Sequence, residues 1–438
     1  MKSSRPSHLR KGISQRTALK KSLTEYIRTM DGALLIKVDM VQSVALAVAT
    51  YWLGSVIKNR VGILQKFSIP TPVVGGMICA LLLSALEYAG LIQVTFDSTL
   101  QKLLMLGFFT TIGLMASLKM LTAGGKLLPL FLAAVTVLAI LQNLLGMGAA
   151  NLMGIDMHYG ILAGSVSMMG GLGTAAAFGP YFEQTYGITG GTAMAITAAT
   201  FGMVAALMIG GPFGEWLIRR YKVQVPTHEH DGEPLRIPEE VEAGIRDEKS
   251  GSVPTFTHEL MKAVSIVTLC LAVGTVVSNF LGNYITLPAY IGSMIVAAVV
   301  RNIGDFTGAY KVQGKGMDAV ADICLVLFVT MAINSLKLHE LLNLAGPLVV
   351  MLALQTVLML VFALGILYFL LGRDYTAVML TVGGIGFSMG ATANGLANMQ
   401  ALAEKYGSSP QAWLIVSVVG AFLIDLINAL LITWMGTW

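Results

Sequence analysis

Long apolar runs constrain this chain more than any other feature. Stretches such as LLPLFLAAVTVLAILQNLLGMGAA and PLVVMLALQTVLMLVFALGILYFLL exceed the roughly 20 residues that a helix needs to cross hydrocarbon. Backbone groups find no water there, so only helices or a closed barrel can span, and barrel strands would alternate apolar with polar residues. These runs do not alternate. Only 12% of the 438 residues are charged, too few to coat a soluble globule of that size. The reading is an all-α, multi-pass membrane protein.

The chain is also written twice. Displaced against itself by 218 positions, it aligns Pro70 with Pro288, Lys119 with Lys337, Pro129 with Pro347, Gly154 with Gly372, Asp156 with Asp374, Thr174 with Thr392 and Gly202 with Gly420. Between the copies, the charged and proline-containing stretch from 221 has no apolar periodicity and reads as a solvated linker. The expected organisation is a basic extension over 1–30, a first transmembrane repeat over 31–220, a cytoplasmic linker over 221–258 and a second repeat over 259–438. The extension carries no apolar core of its own and is no signal peptide; it reads as disordered or untranslated, with the true start at Met30 or Met40.

Each copy holds five spans and one interrupted segment. The spans fall near 38–57, 73–92, 103–121, 127–150 and 192–217, then near 261–282, 286–302, 319–337, 345–371 and 412–434. The interruptions fall at 158–181 and 376–400, where SMMGGLGTAAAFGP and GFSMGATANGLANM are rich in glycine, serine, threonine and asparagine. Five crossings per copy invert the second copy relative to the first if each interrupted segment re-enters and returns to the face it left. The basic residues fit that arrangement. Lys58, Arg60, Lys66, Lys119, Lys126, Arg219, Arg220, Lys222, Arg301, Lys311, Lys315, Arg373 and Lys405 then share the cytoplasmic face, against Lys37, Lys102 and Lys337 outside. The core N- and C-termini are expected to be periplasmic.

Irregular backbone at membrane depth survives only where it lines a protein-walled cavity or binds something. Two half-helices meeting at a glycine-rich tip present free N–H groups and a positive dipole end, which suits a carboxylate. The residues expected to meet substrate are Gly170, Gly171, Gly173 and Thr174 at the first tip and Thr392, Asn394 and Asn398 at the second. Asp425 lies deep in an apolar run with Asn428 one turn on, so this pair is expected near a coupling ion or bracing a tip. The bland alternatives are small-residue helix packing for the glycines and a helix-locking hydrogen bond for Asp425.

Other chemistries find little support. Cys79, Cys270 and Cys324 sit in apolar runs without metal-ligand or disulfide spacing, and the six histidines fall in tails, loops or span ends. No catalytic residue set and no resident cofactor is expected, and the net charge of +4 needs no nucleic-acid partner. An intramembrane enzyme or a passive channel remains the more distant reading.

The stretches IPTPVVGGM (69–77), FFTTIGL (108–114), GGLGTAAA (170–177), ATFGMV (199–204), GATANGLANMQALAEKYG (390–407) and VGAFLIDLINALLI (419–432) resemble the bacterial sodium/glutamate symporter family. The resemblance implies two inverted five-helix repeats with re-entrant hairpins, a homodimer in the bacterial inner membrane, and elevator-type movement of a transport domain against a scaffold. It further implies Na⁺-coupled uptake of L-glutamate, with Na⁺ as the coupling ion and lipid as the surroundings. Members carry Ser, His and Gly where this chain has Met169, Leu172 and Ala175, a Pro-Thr-Ala where it has Ala393, Asn394 and Gly395, and Asn in place of Met115. Those departures leave open a related Na⁺- or H⁺-coupled carrier of another amino acid or dicarboxylate.

Overall fold

The computed structural model describes residues 27–30, 33–67, 69–119, 125–226, 256–282 and 288–438 other than 309, 311 and 313. The basic stretch over 1–26 and the centre of the linker lie outside the described residues. The first half runs through α1 (Met40–Arg60), α2 (Thr71–Tyr88), α3 (Thr99–Met115), α4 (Leu127–Leu152), the short α5 (Met157–Ile161), α6 (Gly171–Tyr186) and α7 (Gly191–Tyr221). The second runs through α8 (Phe256–Gly282), α9 (Ala289–Thr307), α10 (Lys315–Asn334), α11 (Ala345–Phe362), α12 (Tyr375–Ser388), α13 (Thr392–Tyr406), α14 (Pro410–Val418) and α15 (Ile424–Met435).

Local chemistry sets the helix starts. Asp39 accepts from the Gln42 amide at 2.8 Å while the Gln42 side chain accepts from the Asp39 amide at 3.2 Å, a reciprocal cap that begins α1. Pro70 and Pro72 begin α2, where a missing N–H leaves nothing unpaired.

The described residues are helical as expected, apart from one small sheet. β1 (Ile27–Met30) pairs antiparallel with β2 (Ala33–Val38), which pairs parallel with β3 (Ile92–Phe96). The segments ALLIKV and IQVTF are short, β-branched and outside the long apolar runs, so they pair with each other instead of extending the helices that follow and precede them. Ile27–Met30, which the sequence reading assigns to the extension, belongs to this sheet.

Among the described residues, seven helical stretches are long and apolar enough to cross a membrane: Met40–Arg60, Thr71–Tyr88, Leu127–Leu152, Gly191–Tyr221, Phe256–Leu281, Lys315–Asn334 and Leu338–Leu370. The other three expected spans are helical too. The one near 103–121 is the 17-residue α3, which begins and ends earlier than expected. The one near 286–302 is α9, whose end carries an Arg301–Asp305 ion pair at 2.9 Å. The one near 412–434 runs from α14 to α15 through a π-helical turn at Val419–Leu423.

The helices pack as two groups, each drawn from both halves. One unites α1, α2 and α3 with α8, α9 and α10; the other unites α4 to α7 with α11 to α15. Contacts recur at equivalent positions. Ser84 donates to the Leu336 carbonyl at 3.1 Å and accepts from the Leu338 amide at 2.8 Å. Asn302, its counterpart 218 residues on, donates to the Ala116 carbonyl and accepts from the Leu118 amide, both at 2.8 Å. Each half thus holds the end of the other's third helix. The cysteines are free, as expected of packing residues.

Candidate functional site

The broken segments begin alike. Asp156 caps the first, accepting from the His158 amide at 2.9 Å; Asp374, its counterpart in the repeat, caps the second, accepting from the Ala377 amide at 2.7 Å. In the first, α5 passes into a π-helical turn at Leu162–Val166, where Gly164 leaves helical geometry at ψ −130, and regular helix resumes only at α6. In the second, α12 stops at Ser388 and α13 resumes at Thr392.

Both segments fold back on themselves. Tyr186, at the end of α6, stacks on His158 with ring centroids 3.9 Å apart, and the Tyr159 hydroxyl donates to the Thr189 carbonyl at 2.6 Å. Likewise the Tyr375 hydroxyl donates to the Gly407 carbonyl at 2.6 Å, and Thr376 and Ser409 share a hydroxyl hydrogen bond at 3.1 Å.

Two long helices relate these bases. α7 starts beside the first base, at Gly191, and passes the second where Glu215 meets Lys405 at 2.6 Å, a run of about 36 Å at 1.5 Å per residue. From Ser409 to Gly436, whose carbonyl lies 3.1 Å from His158 Nε2, the stretch containing α14 and α15 covers the same interval in the reverse sense. The bases therefore sit at opposite ends of the α4–α7/α11–α15 group, and the tips meet between them. A Cβ at Gly171, whose φ is +62°, would lie 2.4 Å from the Gly390 carbonyl oxygen, and one at Gly202, midway along α7, would lie 2.2 Å from that of Met389.

Apart from Asp425, the sequence candidates lie at or beside these tips but differ in what they can offer. Gly170 and Gly171 form the first tip, and Thr174 is buried in the first turn of α6 beneath Gly170. Gly173 faces the Phe108 ring, 3.0 Å from where its Cβ would stand. Thr392 donates to the Gly420 carbonyl. Asn394 donates to the Met203 carbonyl at 2.8 Å and Asn398 to that of Ala206 at 3.0 Å, so both amides clamp α13 to α7. Asn428 is fully buried and donates to the Ser165 carbonyl at 3.0 Å, while Asp425 is part-exposed.

Sequence reasoning missed a set of uncharged side chains around the tips. Gln142 of α4 donates to the Ser388 carbonyl at 2.9 Å, and Gln355 of α11 donates to the Gln142 carbonyl at 2.7 Å. Asn143 accepts from the Ser165 amide at 2.8 Å. The available signal was a lone glutamine or asparagine within an apolar run, which has no place in hydrocarbon unless it has a partner. Five oxygens of this set are buried without a hydrogen-bond partner: Gln142 Oε1, Ser165 Oγ, Gln355 Oε1, Ser388 Oγ and Asn428 Oδ1.

A cavity of about 540 Å³ lies to one side, where α6 faces α3 and α10. Lys102, Glu183, Lys337 and Glu340 line it together with Tyr181 and Tyr290, and none of the sequence candidates does. Its wall of Ala176, Ala177 and Pro180 continues α6 from Thr174. Among the described residues no group of three or more histidine, cysteine or acidic side chains could hold a metal ion.

The family model described as Sodium/glutamate symporter matches residues 36–408. The sodium/glutamate symporter of Escherichia coli (strain K12) is 37% identical over 400 residues, covering 91% of this chain and 97% of that protein. The sodium/glutamate symporter of Haemophilus influenzae is 38% identical over 392 residues, covering 89% and 95%.

Proposed function

The chain belongs to the sodium/glutamate symporter family, and from that premise we propose that it is a secondary transporter coupling inward Na⁺ flow to uptake of L-glutamate across the bacterial cytoplasmic membrane. The observation that carries the reading is the meeting of two broken segments whose bases lie at opposite ends of α7. In a membrane this makes each a re-entrant hairpin, one entering from either face. The repeats are then inverted, with the core termini periplasmic and the linker cytoplasmic.

Substrate chemistry follows from the tips. The first amides of α6 and α13 have no helical acceptors, and the two helix dipoles add positive character where the tips meet. A γ- or α-carboxylate of glutamate takes those amides in place of water, with the Thr174 hydroxyl beside them. Thr392, Asn394 and Asn398 hold the second tip in position through Gly420, Met203 and Ala206. Asn428 serves the coupling ion directly, and Asp425, one turn before it, supports that site from outside the ligand set.

The two helix groups supply the moving parts. The α4–α7/α11–α15 group carries both tips and slides as an elevator against the α1–α3/α8–α10 scaffold, which forms the homodimer contact. The cavity between α6 and the scaffold helices, flanked by Lys102 and Lys337, is the external approach.

A second reading keeps the mechanism and changes the cargo, to another amino acid or a dicarboxylate. It is favoured by Met169 and Ala175, buried apolar side chains at the first tip. Proteoliposomes loaded without Na⁺ test both: radiolabelled L-glutamate should accumulate only with an inward Na⁺ gradient. No accumulation of labelled glutamate, alongside Na⁺-driven accumulation of a labelled dicarboxylate, would replace the first cargo by the second. Accumulation without any cation gradient would overturn both.

A further inference from the structure

We propose that the five unpartnered oxygens around the tips, Gln142 Oε1, Ser165 Oγ, Gln355 Oε1, Ser388 Oγ and Asn428 Oδ1, form a binding site for a dehydrated alkali-metal cation, the coupling Na⁺. The inference rests on the transport reading above and assigns the ion to residues of this chain.

The three amide side chains cannot turn to relieve their oxygens. Each of the three amides donates its nitrogen to a backbone carbonyl: Gln142 to Ser388, Gln355 to Gln142 and Asn428 to Ser165. A flip would set oxygen against oxygen, so the nitrogen's partner fixes where the free oxygen points. All five residues are at most 1% exposed. Buried acceptors without a donor are unfavourable, and a cation relieves several at once.

The hydrogen bonds also tie the group together. Asn428 bonds Ser165, and Ser165 in turn donates its amide to Asn143, the neighbour of Gln142 in α4. Gly164 packs against Gln142 and Asn143, at 2.9 Å and 2.8 Å from the position a Cβ would take. Gln142 then bonds Ser388 at the other tip. The group thus bridges both broken segments through α4, α11 and α15.

The donor chemistry selects the ion. Neutral amide and hydroxyl oxygens are hard ligands suited to a hard cation, and no carboxylate belongs to the set to neutralise a second charge, which favours a monovalent ion over a divalent one. Because the oxygens come from both tips, bound Na⁺ would hold the tips in the arrangement that receives a carboxylate. That gives a physical route for coupling: ion first, substrate second.

The test uses the full chain purified in lipid nanodiscs without glutamate, with NaCl exchanged for choline chloride at constant ionic strength. Thermal unfolding of the unaltered protein should rise saturably with Na⁺. Ser165→Cys and Ser388→Cys keep the side-chain size and exchange hard oxygen for soft sulfur. Each should raise the half-saturating Na⁺ concentration at least tenfold, with unfolding in choline little changed. Should either fail to fold, Gln355→Met removes one amide oxygen at nearly constant volume and should give the same shift. Half-saturation within twofold of the unaltered protein in the variants that fold would mean that these oxygens hold water, and would overturn the assignment. Parallel Na⁺-driven glutamate uptake by the unaltered protein separates the two claims: uptake present with unshifted variants removes the ion site alone, whereas absent uptake and absent Na⁺ stabilisation remove both.

Discussion

Gly171 and Gly390 touch across the meeting point of the two broken segments, with room for no side-chain atom between them. Gly171 holds φ at +62°, and a Cβ there would stand 2.4 Å from the Gly390 carbonyl oxygen. Left-handed backbone alone costs an L-residue about 1–2 kcal/mol, and the overlap adds to it. Gly171→Ala is therefore expected to push the tips apart, lowering Na⁺-driven uptake at least tenfold while protein is still made and inserted. Uptake kinetics measured against surface abundance check this.

Asn394 and Asn398 distinguish clamping from substrate binding. Their amides bond α7 carbonyls at 2.8 Å and 3.0 Å, and an orphaned buried partner typically costs roughly 1–3 kcal/mol. Alanine at either position should lower the unfolding temperature of the detergent-solubilised protein, with substrate concentration dependence changed less than stability. A large loss of substrate affinity at unchanged stability would identify them as direct ligands. The two lie one helical turn apart, so the double variant should not be additive.

The positions of the breaks are legible in the sequence because glycine and asparagine in an apolar run have few other uses, and the repeat is legible because Asp156 and Asp374 keep one capping role in both copies. The roles of individual side chains are less so. Spacing brings Asn394 and Asn398 to one face of α13, yet only the packing of α7 against that face decides that backbone carbonyls receive them. Gln142 and Gln355 carry no charge and no motif; their importance arises from tertiary contact with Ser388 and with each other. The small sheet is hidden for a related reason, since β2 and β3 are short, separated by the helices between Met40 and Tyr88, and a short strand gains stability only with a partner.

Asp425 tests the coupling role read from the sequence. It is part-exposed within the α14–α15 stretch, where an ionised carboxylate is unfavourable unless it serves an ion or carries a proton. Asp425→Asn preserves shape and removes the charge. Uptake driven by Na⁺ should fall at least tenfold, with folding intact by size-exclusion chromatography. Unchanged Na⁺ stimulation would make Asp425 a packing residue.

The Glu215–Lys405 pair at 2.6 Å links α7 to the base of the second segment, but its side chains are 35% and 49% exposed. Solvent and salt screen such a pair, so it adds little to stability. Lys405→Ala should shift thermal unfolding only slightly, and less still at high ionic strength, in contrast to the buried clamps at Asn394 and Asn398.

Sided labelling tests the opposed hairpins most directly. In a background with Cys79, Cys270 and Cys324 replaced, single cysteines at Leu152 and Thr185 flank the first segment, and at Arg373 and Glu404 they flank the second; all four positions are exposed. A membrane-impermeant maleimide should label Leu152→Cys and Thr185→Cys only from the periplasmic side, and Arg373→Cys and Glu404→Cys only from the cytoplasmic side. Labelling of Leu152→Cys and Thr185→Cys from opposite sides, or of Arg373→Cys and Glu404→Cys from opposite sides, would mean that a broken segment crosses the membrane, and would contradict the account.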